Sequence, residues 1–333
     1  MTLSKVRRTL RPGDFSNMKT LLAPLLLTGA LAAPATACDL CSIYNVNAAE
    51  GSRNKGFSVS VTEQFTHFGT LQEDGHEVRN PTGQYLNSSI SQVVLGYTFN
   101  DWASVQASVP WIYRGFKRPE GFATDRGSES GLGDVSLLAN FTPVRFEKMH
   151  TTFNWNVFGG VKFPTGDSGR IKEEFNEVEV PGAPESGIHG HDLALGSGSY
   201  DGVIGTAFYA RYRRGFFTGT MSYSIRTEGD FDYRYANDLT WNGGPGVFLF
   251  LSEDWTASLQ CVVSGEDKGL DKFGHERAGD TGLTAVYVGP QFNATWSDKI
   301  SASVGVDLPV VMDNTALQAV PDYRVRGAVT WRF

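Results

Sequence analysis

The segment YRVRGAVTWRF (323–333) places Tyr323, Val325, Val329, Trp331 and Phe333 on one parity with Gly327. Arg324, Arg326, Thr330 and Arg332 fall on the other with Ala328. Alternate side chains of a strand point to opposite faces, so one face of this segment is apolar and the other cationic. In a soluble sandwich that pattern is half core and half surface. In an outer-membrane barrel it is lipid outside and water inside.

Three other segments separate the two readings. In 217–226 Phe217, Gly219, Met221, Tyr223 and Ile225 oppose Thr218, Thr220, Ser222, Ser224 and Arg226. In 255–264 Trp255, Ala257, Leu259, Cys261 and Val263 oppose Thr256, Ser258, Gln260, Val262 and Ser264. In 300–308 Ile300, Ala302, Val304, Val306 and Leu308 oppose Ser301, Ser303, Gly305 and Asp307. The non-greasy face is small and polar, whereas the outer face of a sandwich would be richer in Lys and Glu.

Connection lengths give a second, independent signal. Short links fall at 100–101, 145–150, 213–215, 252–254 and 297–299, and long polar links at 71–86, 115–130, 165–195, 229–237, 266–280 and 312–320. Short periplasmic turns alternating with long extracellular loops are the outer-membrane arrangement. With FSVSVTEQFTHF (57–68) as the first strand, the turn signals yield about 12 segments, each near or above the roughly 9–11 residues that cross a bilayer. Trp102, Trp255 and Trp296 lie beside short turns, and Trp111, Tyr113 and Trp241 nearer long loops, as interfacial girdles require. The expected fold is therefore an all-β, membrane-spanning, antiparallel up-and-down β-barrel of about 12 strands over 57–333, in the cell outer membrane. Terminal Phe333 matches the aromatic signal read by the barrel-assembly machinery. Glu63 fits poorly, falling on the greasy parity, where it faces lipid unless a bulge shifts the register.

Composition agrees: 38 Gly, 22 Phe, 12 Tyr and 7 Trp among 333 residues suit short alternating strands. MKTLLAPLLLTGALAAPATA (18–37) reads as a secretory signal with a small-residue cleavage site at Ala35-Thr36-Ala37. The residues before Met18 are either a long n-region or an over-called start. Removing 1–37 takes away five bases and one acid, moving the formal charge from −7 to −11. An acidic chain lacks the basic footprint that nucleic acid requires. The expected periplasmic segment 38–56 opens on CDLC, whose Cys38 and Cys41 leave open a disulfide, a redox or metal half-site, or lipidation at Cys38.

SGLGDVSLLANF (130–141), VKFPTGD (161–167) and LALGSGSYDGVIG (193–205) together resemble an outer-membrane family named for the meta-pathway of phenol degradation. The resemblance covers about 130–333 and implies a barrel with a transport role. It brings no catalytic residues. The CDLC start departs from the family pattern.

Inward parity places Arg114, Lys162, Arg211, Arg226, Arg324 and Arg326 in the lumen, with Asp134, Asp201 and Asp307. Charges are costly against lipid and comfortable in a wet channel, where rings of them also select ions. Phe248, Phe250 and Tyr287 point inward on the same register. The loop 167–192 carries seven acids, two bases, His189 and His191, and reads as an exposed, solvated loop rather than a metal site. No GxSxG or metalloprotease motif occurs. An outer-membrane lipid hydrolase would need Ser and His on the lipid-facing wall, whereas the serines here keep mostly to the lumen parity, and His67, His76, His150 and His275 sit mainly in loops or turns.

The expected function is porin-like: a channel or transporter in contact with outer-membrane lipid, passing small anionic or aromatic solutes without energy input, cofactor or catalytic residues. The alternative is a barrel whose Cys38–Cys41 segment docks a periplasmic redox or metal-handling partner.

Overall fold

The computed structural model describes residues 55–175 and 180–333, so the leader, Cys38 and Cys41 lie outside the described residues. Among the described residues twelve long strands form the wall: β1 Gly56–Glu73, β2 Tyr85–Asn100, β3 Ala103–Glu120, β4 Ser136–Lys148, β5 Thr151–Lys162, β6 Asp201–Tyr212, β7 Gly215–Ile225, β8 Asp238–Leu251, β9 Trp255–Lys268, β10 Leu283–Trp296, β11 Ile300–Asn314 and β12 Leu317–Arg332. Each pairs antiparallel with its sequence neighbour, and β12 returns to pair with β1 from Ser58↔Arg332 to Glu73↔Leu317. The sheet closes on itself and leaves no edge among these strands.

Burial follows the alternation. Ser60, Thr62, Gln64 and Thr66 of β1 are buried inward, and Ser60 and Thr330 hydroxyls meet at 2.8 Å across the seam. Leu95, Ile204, Met221, Leu259, Val304 and Leu308 are exposed outward. In water such a belt would drive aggregation; against acyl chains it is the lipid-facing surface of an outer-membrane protein. Trp102, Trp255, Trp296 and Phe333 ring the short-turn end, and Trp111 and Tyr113 stand higher.

Three local readings are corrected. The link at 312–320 is a tight turn at Thr315–Ala316, because Asn314 Nδ2 donates to Ala316 O and Asp74 Oδ1 accepts Ala316 N–H, holding Ala316 at a left-handed φ of 51°. Residues 115–130 are no open loop: Ala123–Leu132 pairs with Trp111–Glu120 of β3 as a hairpin that outlasts the wall. A bulge between Phe248 and Phe250 shifts the register of β8 on β9, pairing Phe250 with Ala257. Phe250 therefore points outward and lies flat on Trp255, ring centroids 3.6 Å apart, while Phe248 keeps the lumen parity.

Glu63 faces outward without a bulge at its position. It is level with Ser91 of β2 and, one strand on, Trp111 of β3, so it stands by the upper aromatic girdle. Ser89 and Ser91 hydroxyls donate to its carboxylate.

Candidate functional site: a plugged lumen

The lumen has two parts. At the short-turn end lies a cavity of about 720 Å³. At the long-loop end the chain between β5 and β6 folds into the barrel.

That inward fold overturns the solvated reading for 168–174 and 186–192, while Val180, Pro181, Gly182, Pro184 and Glu185 stay exposed as expected. Ile188 and Leu193 pack on Phe68, Leu86 and Phe116 of the wall, and Leu195 on Ile90 and Ile112. Ile171 and Ala194 pack on Tyr233 and Tyr235 of the next long loop. A buried aliphatic side chain contributes about 1.5–3 kcal/mol. Four such anchors outweigh the solubility of the acids, of which Glu173, Glu174 and Asp192 find partners of their own. Arg118 binds Glu173 at 2.6 Å, and Asp192 Oδ2 accepts His189 N–H at the start of the one-turn helix α1 Gly190–Leu193. Backbone bonds fix the plug to the wall: Ala319 N–H donates to Gly187 O at 2.7 Å, and Gly187 N–H to Gln84 Oε1 at 2.9 Å.

The plug is rooted where the three motifs meet. Asp134 of GLGD accepts Gly166 N–H of PTGD on one oxygen, and Ser197 N–H and Lys162 Nζ on the other. Leu195 and Gly196 N–H groups donate to Asp167 O. A Cβ on Gly166 would stand 2.5 Å from Leu195 O, and one on Gly196 2.6 Å from Gly166, so two glycines allow the strands of the root to approach. Lys162 also reaches Asp201 at 2.7 Å, and Arg226 joins Asp201 at 2.9 Å and Asp238 at 2.7 Å. Lys162, Arg226, Asp134 and Asp201 are thus one buried ion network holding the root.

The other lumen charges divide by height. Arg114 donates to Ser88 at 2.5 Å, and Arg324 lies over the Tyr287 ring at 4.4 Å and 3.7 Å from Glu266. Both line a space of only about 40 Å³ left between plug and wall. One water needs about 10–15 Å³ of such volume, so this gap holds a few waters and no solute. Arg211 and Arg326 line the large cavity instead. Arg326 is held bidentately by Asp307 at 2.7 and 2.8 Å, and Arg211 donates to Thr152. Arg332, at the mouth, donates to Ser301 at 3.2 Å. Across the barrel the same cavity is walled by Tyr209, Phe216 and Phe248, whose rings follow one another at 6.1 and 5.1 Å. Amides of Asn154, Asn242, Gln260, Gln291 and Asn293 fill the sides. Arg213, by contrast, sits in the turn at a φ of 54° with its guanidinium over Tyr212, outside the lumen.

Within the plug, His191 Nδ1 bonds Glu174 Oε1 at 2.9 Å. Burial opposes the imidazolium, yet Asp192 and Glu174 beside it push His191 up to about 10. Burial likewise opposes the Glu174 carboxylate, and the neighbouring His191 and His189 bring it down to about 2. The two form a buried ion pair. His189 stacks parallel on His191 at 5.7 Å.

His67 lies in the first strand, as the segment 57–68 predicts. It stands within β1 on the outer face, bonded through Nδ1 to Asn87 Oδ1 at 2.6 Å, with Nε2 3.6 Å from Asp322. Ser89 and Ser91 are engaged by Glu63, so the outer-face serines and the imidazole are held apart rather than joined as nucleophile and base.

No protein-family model and no curated protein matches the chain. Solved structures do. An outer membrane channel from Pseudomonas putida F1 is 13% identical, with 84% of this chain and 96% of that one covered at a TM-score of 0.54. The beta domain of a Bordetella autotransporter is 8% identical, covering 84% and 100%, at 0.42. A monoaromatic hydrocarbon channel is 8% identical, covering 84% and 89%, at 0.37. The first of these shows the fold: this chain is an outer-membrane β-barrel.

Proposed function

We propose that this barrel passes small solutes through the outer membrane without energy input, and that the large cavity is where it selects aromatic carboxylates. The observation that carries this reading is the two-sided wall of that cavity. Arg332 on β12 faces Tyr209, Phe216 and Phe248 on β6, β7 and β8, with Arg211 of β6 beside those rings, while Arg326 is already paired with Asp307. A guanidinium suits a carboxylate, and an aromatic face suits a ring. A volume of about 720 Å³ lies in the range of small-molecule pockets, roughly 300–1,000 Å³. The resemblance of GLGD, PTGD and LGSGSYD to the family named for phenol degradation points to the same solute class.

The gap between plug and wall is only about 40 Å³, so on this reading the plug shifts to let a solute pass. Lipid hydrolysis gains no support from the outer face, where serine and histidine have separate partners.

Liposome swelling tests the reading. Vesicles holding the barrel should take up benzoate faster than an uncharged sugar of similar size, and Arg211→Ala with Arg332→Ala should remove the preference. Equal rates for both solutes in the wild type, or no uptake by a folded barrel even after excision of the plug, would overturn it.

A further inference from the structure

Outside the cavity and the root network, one cluster of metal-ligating side chains is assembled from separate segments. Glu174 comes from the 3-10 turn Gly169–Phe175, His189 from the N-cap of α1, and Asp280 from the loop between β9 and β10. One donor atom of each lies within 4.8 Å of the other two, and His189 Nε2 stands 3.6 Å from Asp280 Oδ2. Zinc bonds of about 2.0–2.2 Å at tetrahedral angles put neighbouring donors roughly 3.3–3.6 Å apart. The His189–Asp280 spacing is already there, and a small closing movement of Glu174 completes three ligands.

From this geometry we infer that Glu174, His189 and Asp280 form a binding site for a divalent first-row transition ion, and that the bound ion locks the plug to the β9–β10 loop.

Three features support the assignment. First, the groups around the site orient it: His191 takes Glu174 Oε1 through both its N–H and its ring, directing the second carboxylate oxygen elsewhere, and stacks on the His189 ring. Second, the His191 ring is itself held between two carboxylates, Glu174 at 2.9 Å and Asp192 at 3.4 Å, which fixes it against the His189 ring. Third, one imidazole with two carboxylates is a nitrogen–oxygen set of the borderline kind that zinc and its neighbours take, in preference to the all-oxygen sets of calcium. Because the ligands span two extracellular loops, the ion would hold the plug from the side opposite its Asp134 root.

The test uses the full chain with Cys38→Ser and Cys41→Ser, so that the CDLC segment cannot supply a competing site. After chelator treatment the folded barrel, verified by its heat-modifiable migration, is titrated with Zn²⁺ by calorimetry. One ion per chain is expected, with affinity reduced at least tenfold in His189→Ala and in Asp280→Asn. Zinc should also slow proteolysis at 180–187 in the parent protein and not in these variants, and chelator should reverse the protection. Glu174→Gln provides a third variant if one of the others fails to fold. Binding by the variants as tight as the parent's, or no binding by the parent, would overturn the site. Binding without protection would overturn the lock.

Discussion

Lys162 holds Asp134 at 2.7 Å inside the barrel wall, with neither side chain more than 6% exposed. Removing one partner of a buried pair costs about 3–5 kcal/mol where the other is stranded, and less here because Lys162 keeps Asp201 at 2.7 Å. Asp134→Ala should therefore lower the thermal transition of the folded barrel and loosen the plug at its root, since Gly166 and Ser197 lose the same acceptor. Differential scanning calorimetry and protease sensitivity of 180–187 check this. A change in neither would mean the root does not depend on that carboxylate.

Excising the plug should open the pore. Replacing 170–190 by a short Gly-Ser linker removes Ile171 and Ile188 and leaves the wall strands intact, so single-channel conductance should rise severalfold over the parent. An unchanged conductance would place the constriction lower, among the cavity side chains.

Phe248 and Phe250 are two residues apart on one strand and should nonetheless report different solvents. Nitroxides attached at Phe248→Cys and Phe250→Cys, in a Cys38→Ser, Cys41→Ser and Cys261→Ser background, should show high oxygen accessibility at 250 and high accessibility to a water-soluble relaxant at 248. Identical profiles would remove the bulge.

Phe216→Ala takes the middle ring from the aromatic wall. Benzoate uptake should fall about tenfold while uptake of a neutral sugar stays within about twofold, equivalent to losing roughly 1.4 kcal/mol of stacking. Parallel losses for both solutes would indicate general narrowing of the lumen instead.

The wall was legible because its signal is a period. Every second residue of YRVRGAVTWRF and of the strands before it meets lipid, and a two-residue repeat survives whatever the loops contain. The plug carries no period. Ile171, Ile188, Leu193 and Leu195 are spaced by the shape of the cavity they enter, and they are scattered among seven acids that dominate the composition. The residues IHGHDLALG (188–196) held the one available hint, three aliphatics that a solvated loop has no need of. The lumen arginines were placed by parity alone, yet parity says nothing of height, which separates Arg324 beneath the plug from Arg326 in the cavity. Phe250 was misread because a single inserted residue, invisible in the alternation, turns the face of everything after it.

The pairing of β1 with β12 joins positions 270 residues apart at the Ser60–Thr330 hydroxyls. Until that seam zips, β1 and β11 each present a row of bare amides and carbonyls, and each such group costs several kcal/mol in hydrocarbon. A chain halted before Leu317 is therefore worse placed in a bilayer than one that never began to insert. Closure of the wall therefore waits on the sixteen-residue strand β12, the one element that covers both remaining edges at once.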